Sequence, residues 1–254
     1  MEEKSRTRFA ILIALILVAA VAYSFTFNLF GDTPAVSLAS GSGTSATDHG
    51  NDLESAGSVV RVEITPETVQ SVIEHTLSRY RSYSRTIQIE YLNHSQVTGT
   101  MSAVVAVDNG WTRVDLTTQS GVEHTIVGDE VRYRWYNSDA DYVAVPAGED
   151  SDDLAQRLPT YEDVLALDPK SITVANYESK GGIACIYVEV AEDELGYLER
   201  YWVSVESGLL VAAETVKGDE VVYRMTAYQV ESPLSGADES FVLPDGTVLH
   251  QVEG

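Results

Sequence analysis

The chain is short of cysteine and of positive charge, and it carries almost nothing that reads as a catalytic motif. Its 254 residues include one cysteine. Cys185, within the run IACIYVEV, has no second thiol with which to close a disulfide or build a thiolate metal site. The surrounding stretch is strongly apolar and β-like, so Cys185 reads as a small buried hydrophobe rather than a nucleophile. It also lies far from the N-terminus, which excludes the lipidated cysteine of a bacterial lipoprotein. Lys and Arg total 16 against 39 Asp and Glu, for a formal net charge of −23. Phosphate binding needs clustered cations that release counterions, so nucleic acid is excluded as a partner. Broad electrostatic attachment to anionic lipid headgroups is disfavoured on the same ground. Acidity of this size keeps an exposed protein soluble, and the scarcity of Lys is also compatible with a salt-rich habitat.

The motif search is equally sparse. There is no Gly-x-Ser-x-Gly elbow and no phosphate-cradling Gly-rich loop ahead of a Lys. The five histidines are scattered, with no His-x-x-x-His or His-Glu-x-x-His spacing. His49, beside Asp48 and Asp52, reads as solvated, and His75, beside Glu74, as a surface residue. Glu123 and His124 are neighbours, but adjacent residues on a strand point to opposite faces. Asn93-His94-Ser95 matches the glycosylation tripeptide, a pattern too frequent by chance to weigh. The cluster Glu149-Asp150-Ser151-Asp152-Asp153 lacks the glycine and distal glutamate of an EF-hand loop and reads as the charged start of a helix. Neither a metal nor a cofactor is expected. Carboxylates are so numerous that a glycosidase pair, which needs no fixed spacing, remains an alternative through residues such as Asp115 or Glu123. The leading expectation is that the protein is not an enzyme.

What the chain does have is one long apolar run. MEEKSRTR (1–8) precedes FAILIALILVAAVAYSFTFNLF (9–30), an uncharged stretch long enough to cross a bilayer as a helix. Lys4, Arg6 and Arg8 lie before the span, so residues 1–8 are expected in the cytoplasm, 9–30 as a single-pass anchor, and the rest outside. Ala20-Val21-Ala22 offers a small-x-small cleavage pattern, and the alternative is secretion after signal cleavage. Residues 31–58, rich in Gly, Ser, Thr and Asp, form a flexible linker, roughly 28 residues with an end-to-end distance of about 30 Å.

From residue 59 to 254 the patterns are those of one β-rich domain. VVRVEIT (59–65) alternates as a strand, and Pro66 opens a helix with Val69, Val72, Ile73 and Leu77 on one stripe. TIQIEYL, MSAVVAV, WTRVDLTT, GVEHTIV, VRYRW and YVAVP follow as a meander, with Asn109-Gly110 a strong hairpin signal. After a polar break with helix starts at Ser151-Asp152-Asp153 and Thr160, SITVANY, IACIYVEV, LERYWVSV, GLLVAAETV and VVYRMTAYQV form a second β-rich half. FVLPDGTVLH closes the chain as a terminal strand and turn. The sum is an α+β fold: a large antiparallel sheet of about eleven strands, with one long and one or two short helices against one face. GDEVRYRW (128–135) and GDEVVYRM (218–225) agree at six of eight positions. Gly128-Asp129 and Gly218-Asp219 read as turn dipeptides of one hairpin solution used twice.

Aromatic residues are the remaining functional signal. Trp111, Tyr133, Trp135, Tyr223 and Met225 fall in strand patterns, and they are either core or the lining of an apolar cavity; they form the candidate ligand-binding set. The helix-to-strand run TVQSVIEHTLSRYRSYSRTIQIEYL, the hairpin VGDEVRYRWYNSDADYVAVP and the run YWVSVESGLLVAAETVKGDEVVYRMTAYQVE together resemble the lipoprotein-carrier (LolA-like) superfamily. Its relatives include envelope-stress regulators and spore-germination lipoproteins. The resemblance implies a curved, unclosed half-barrel with a helical lid, and a non-enzymatic protein of the bacterial envelope that binds a lipid, an acyl chain or a partner envelope protein. The expected anchor argues against a shuttle and for a fixed regulator or accessory subunit. A purely structural surface domain is the further alternative.

Overall fold

The computed structural model describes residues 62–147, 158–235 and 241–252. The expected cytoplasmic tail, membrane anchor and linker, and the acidic cluster at 149–153, lie outside those residues. No helix among the described residues is long and apolar enough to cross a membrane.

Two antiparallel meanders fuse into one open sheet. The first comprises β1 (Ser82–Asn93), β2 (Gln96–Asp108), β3 (Trp111–Thr118), β4 (Gly121–Gly128), β5 (Val131–Tyr136) and β6 (Val143–Pro146). The second comprises β7 (Ile172–Lys180), β8 (Ile183–Val190), β9 (Tyr197–Ser204), β10 (Leu210–Lys217) and β11 (Glu220–Thr226). The strand order is β6-β5-β4-β3-β2-β1-β11-β10-β9-β8-β7, and the two-residue β12 (Val230–Glu231) adds to β1 beyond the end of β11. Among the described residues, β6 and β7 are the free edges, so the sheet is unclosed, in keeping with a half-barrel. The meanders meet where Ile89 pairs with Met225 and Tyr91 with Tyr223.

Alternation assigns each side chain to a face. The inner face carries Ile87, Ile89, Ala103, Val105, Val114 and Leu116 from the first meander, and Ile186, Val188, Tyr201, Val203, Ala213 and Met225 from the second. Two short helices cover part of it: α1 (Val69–His75) through Val69, Val72 and Ile73, and α2 (Tyr161–Ala166) through Val164. Full burial of each such aliphatic side chain is worth about 1.5–3 kcal/mol, so this layer is the main core. The Gln70 amide nitrogen of α1 donates to the carbonyls of Val164, Leu165 and Leu167 at 3.0, 3.1 and 2.9 Å. It thereby caps the C-terminal end of α2, whose other end is held by Thr160 N–H donating to Asp163 at 2.6 Å.

The outer face has two smaller clusters. Cys185 is buried there with Tyr187, Trp202, Val211 and Ala212, and burial pushes its thiol up to about 11, which fits an inert hydrophobe. On the first meander, Phe241, Leu243 and Leu234 from the C-terminal segment cover Ala106, Ile126 and Trp135. That segment is fastened by His250, stacked on Trp111 with ring centroids 5.5 Å apart, and 2.6 Å from the Asp108 carboxylate. Burial alone would push Asp108 up. Hydrogen bonds from Ser82 and His250, the charge of His250 and a bond from Asn109 outweigh it and hold the carboxyl below its usual range.

Four expectations are corrected. The long early helix is seven residues, because Arg79 turns back and donates to Ile73 O at 2.6 Å and Glu74 O at 3.3 Å, satisfying carbonyls that a further turn would have used. The described part of the 59–65 strand, residues 62–65, is not in the sheet; Val62 and Ile64 pack on the core as an irregular lead-in. The terminal strand reduces to a single bridge, Val242 to Val248. Gly128-Asp129 is not the turn: Gly128 pairs with Val131 inside the sheet, and Asp129 and Glu130 make the turn at φ 48 and 61. In the second copy the turn is Gly218-Asp219, one residue earlier, with a bulge after Thr215. Gly128 is instead a site of close approach, since a Cβ there would meet the Trp111 ring at 2.2 Å.

Three outcomes follow. Gly128→Ala overpacks against a ring held by His250 and Phe241 and is expected to cost about 1–3 kcal/mol. Gly218→Ala, in open space with only a positive φ of 59 to accommodate, should cost about 1 kcal/mol; denaturant midpoints of the two variants check the order. The depressed Asp108 carboxyl contributes stability that is present above the ordinary carboxylate range, near pH 4, and is lost as pH falls through its lowered folded value. Asp108→Asn should therefore cost about 1–3 kcal/mol at neutral pH and flatten the acid limb of stability measured by urea unfolding.

Candidate functional site

The helices leave the inner face of β1–β5 partly uncovered, and a cleft of about 310 Å³ opens there. Its floor is two cross-strand rows. One runs Tyr83, Val107, Thr112, Val127, Arg132, and the other Arg85, Val105, Val114, Thr125. Leu158 and the start of α2 (Tyr161, Glu162) form one wall, and Leu209 and Leu210 another. The middle of the floor is aliphatic, and the two ends are cationic.

Arg85 is the unusual residue. It is 7% exposed, its Nη1 donates to Leu210 O at 2.9 Å, and its Nε has no hydrogen-bond partner among the described residues. It forms no ion pair with any described residue. Burial pushes its pKa down, while the fields of Tyr83 and Glu162 act the other way. Burying an ion costs several kcal/mol after relaxation, and one hydrogen bond to a charged group returns about 1.5–3 kcal/mol, so the carbonyl of Leu210 alone does not offset the burial. Thr125, 1% exposed, also keeps an unpartnered hydroxyl on this floor. At the far end Arg132 Nε is unpartnered, whereas Arg134 lies 3.9 Å from Glu123. Tyr161 is raised to about 12, mainly by burial and then by Glu162, and its ring lies 3.9 Å beneath the Arg79 guanidinium.

The five aromatic and Met positions do not converge on this cleft. Trp111, Tyr133 and Trp135 lie on the outer face, against the C-terminal segment. Trp135 stacks on His124 at 5.1 Å. Tyr223 and Met225 lie on the inner face, where Met225 is fully buried in the core and Tyr223 meets Tyr91 edge-on at 5.6 Å. The sheet therefore separates the first three from the last two. Asp115 and Glu123 are likewise on opposite faces. Asp115 accepts from Arg113 at 3.0 Å and sits 2.7 Å from His124 Nδ1, while Glu123 faces inward beside Arg134. They cannot act as a carboxylate pair across one substrate. Among the described residues no His, Cys, Asp and Glu cluster is arranged to hold a metal.

Sequence reading missed Arg85, Thr125 and Arg132. The signal was present in SYSRTIQIEY: Tyr83, Arg85, Ile87 and Ile89 alternate in phase, so the arginine occupies a position where every neighbour is apolar and inward.

No known family profile matches the chain, and no curated protein does. The chain has similarity to several solved structures at low identity. LprF from Mycobacterium bovis is 13% identical with a TM-score of 0.35, covering 67% of this chain and 94% of LprF. MucB in complex with MucA(peri) is 13% identical with a TM-score of 0.40, covering 72% of this chain; the chain spans 61% of MucB. The LolA superfamily protein NE2245 from Nitrosomonas europaea is 11% identical with a TM-score of 0.31, covering 70% and 96%.

Because Arg85 has no ionic partner among the described residues, Arg85→Met should lower the stability of the ligand-free protein by no more than about 1 kcal/mol. A loss of about 3 kcal/mol or more in urea unfolding would instead mark a paired structural arginine.

Proposed function

We propose that the protein is a membrane-anchored, extracytoplasmic binding module of a bacterial cell envelope, whose inner cleft takes an alkyl or acyl chain. The observation that carries this reading is the open cleft with an aliphatic floor, Val105, Val107, Val114 and Val127, facing Leu158 and Leu210. Apolar concave sites with a few placed polar groups are the usual form of small-ligand pockets, and a volume near 300 Å³ is at the lower end of their range. That size suits one chain rather than several. The uncharged run from Phe9 to Phe30 supports an anchor, and the linker after it supports a domain held near the bilayer that supplies such chains. A binding role also accords with the placement of Asp115 and Glu123 on opposite faces.

The test is photo-crosslinking of the full chain in membranes with alkyl probes bearing a diazirine. At least one probe should label residues of β1–β4 that line the cleft, and Val114→Trp, which fills the floor, should reduce that labelling by roughly tenfold or more. Labelling absent from these strands for every probe would overturn the reading, as would labelling untouched by Val114→Trp.

A further inference from the structure

We propose that the occupant of the cleft is an anionic amphiphile, with a carboxylate or phosphate head on the Arg85 guanidinium and its chain across Val105, Val114 and Leu158. This rests on the reading of the cleft as an alkyl-chain site and adds the charge of the ligand.

Three observations support it. First, Arg85 lines the cleft, is more than nine-tenths buried, and has an Nε without a partner. Second, its Nη1 bond to Leu210 O fixes the side chain, so a planar fork of donors is presented with little further loss of freedom, the geometry that suits carboxylate and phosphate oxygens. Third, the groups whose fields reach it are Tyr83 and Glu162, and Glu162 forms no ion pair with it, so no described carboxylate occupies the place an anion would take. The aliphatic walls lower the local dielectric and strengthen a direct ion pair. The acidity of the rest of the chain is screened beyond about 8 Å at physiological salt, and so opposes entry weakly while the contact at Arg85 remains local. Thr125 lies three strands away along the same row, about 14 Å on a flat sheet, too far to share the head.

The experiment uses the full chain in membranes and three dodecyl photoprobes that end in a carboxylate, a phosphate or a hydroxyl. The carboxylate and phosphate probes should label the cleft strands at least about tenfold more than the alcohol. Arg85→Leu should bring both down to the alcohol's level and leave the alcohol's labelling unchanged, while Arg132→Leu should preserve the preference. Equal labelling by all three probes overturns the charge assignment and leaves the alkyl-chain reading standing. Loss of preference in Arg132→Leu but not in Arg85→Leu also overturns it. Inorganic phosphate at the probe concentration should not displace the alkyl phosphate; displacement would make the ligand a free anion and overturn the amphiphile. Failure of every probe to label overturns the alkyl-chain reading, and the proposal with it.

Discussion

The pairing of β1 with β11 is the constraint on which the remainder of the domain depends. It joins the first strand of one meander to the last strand of the other, with Ile89 opposite Met225 and Glu90 opposite Arg224. Closing a loop of that length costs entropy that grows only slowly with length, and the inner-face burial of Ile87, Ile89 and Met225 provides the compensation. Without the seam each meander would have one more open edge and half of an inner core. The seam also brings Leu210 of the second meander to the side chain of Arg85 in the first. The cleft is therefore a product of the junction and belongs to neither half alone.

The few cations are distributed unevenly. On the outer face of the second half, the cross-strand row Glu90, Arg224, Glu214, Arg200, Glu189 alternates in sign over five strands. Arg224 lies 3.4 Å from both Glu90 and Glu214, Arg200 3.0 Å from Glu189, and Lys180 3.1 Å from Glu214. Such partly exposed pairs are each worth about 0–1 kcal/mol, but together they remove like-charge repulsion from a very acidic sheet. Arg85 is used differently, inside and without an ionic partner among the described residues, in a chain that has few cations to place.

Strand identity and the hairpin at Asn109-Gly110 were legible in the sequence because two-residue periodicity and positive-φ residues are local signals. The length of α1 was not, since its end is set by Arg79 folding back, and the apolar stripe continues to Leu77 regardless. The turn register of GDEVRYRW was not legible either. Gly128 serves a contact with Trp111 that comes from another strand, and local sequence cannot distinguish a glycine kept for a turn from one kept for space. The aromatic set was chosen by residue type, and only the pairing order reveals that Tyr133 and Tyr223, matched in the two echoes, face opposite sides. Arg85 was readable in principle, from one charged residue in an inward phase, but that phase had to be traced back before Thr86.

Helices of seven and six residues are too short to persist alone in water. Since one amide of Gln70 closes the carbonyl end of α2, the two helices support each other: without that amide, three carbonyls at the end of α2 would lose their donor together. The placement of α2 beside the cleft is thus tied, through one side chain, to a helix that is itself seated in the main core.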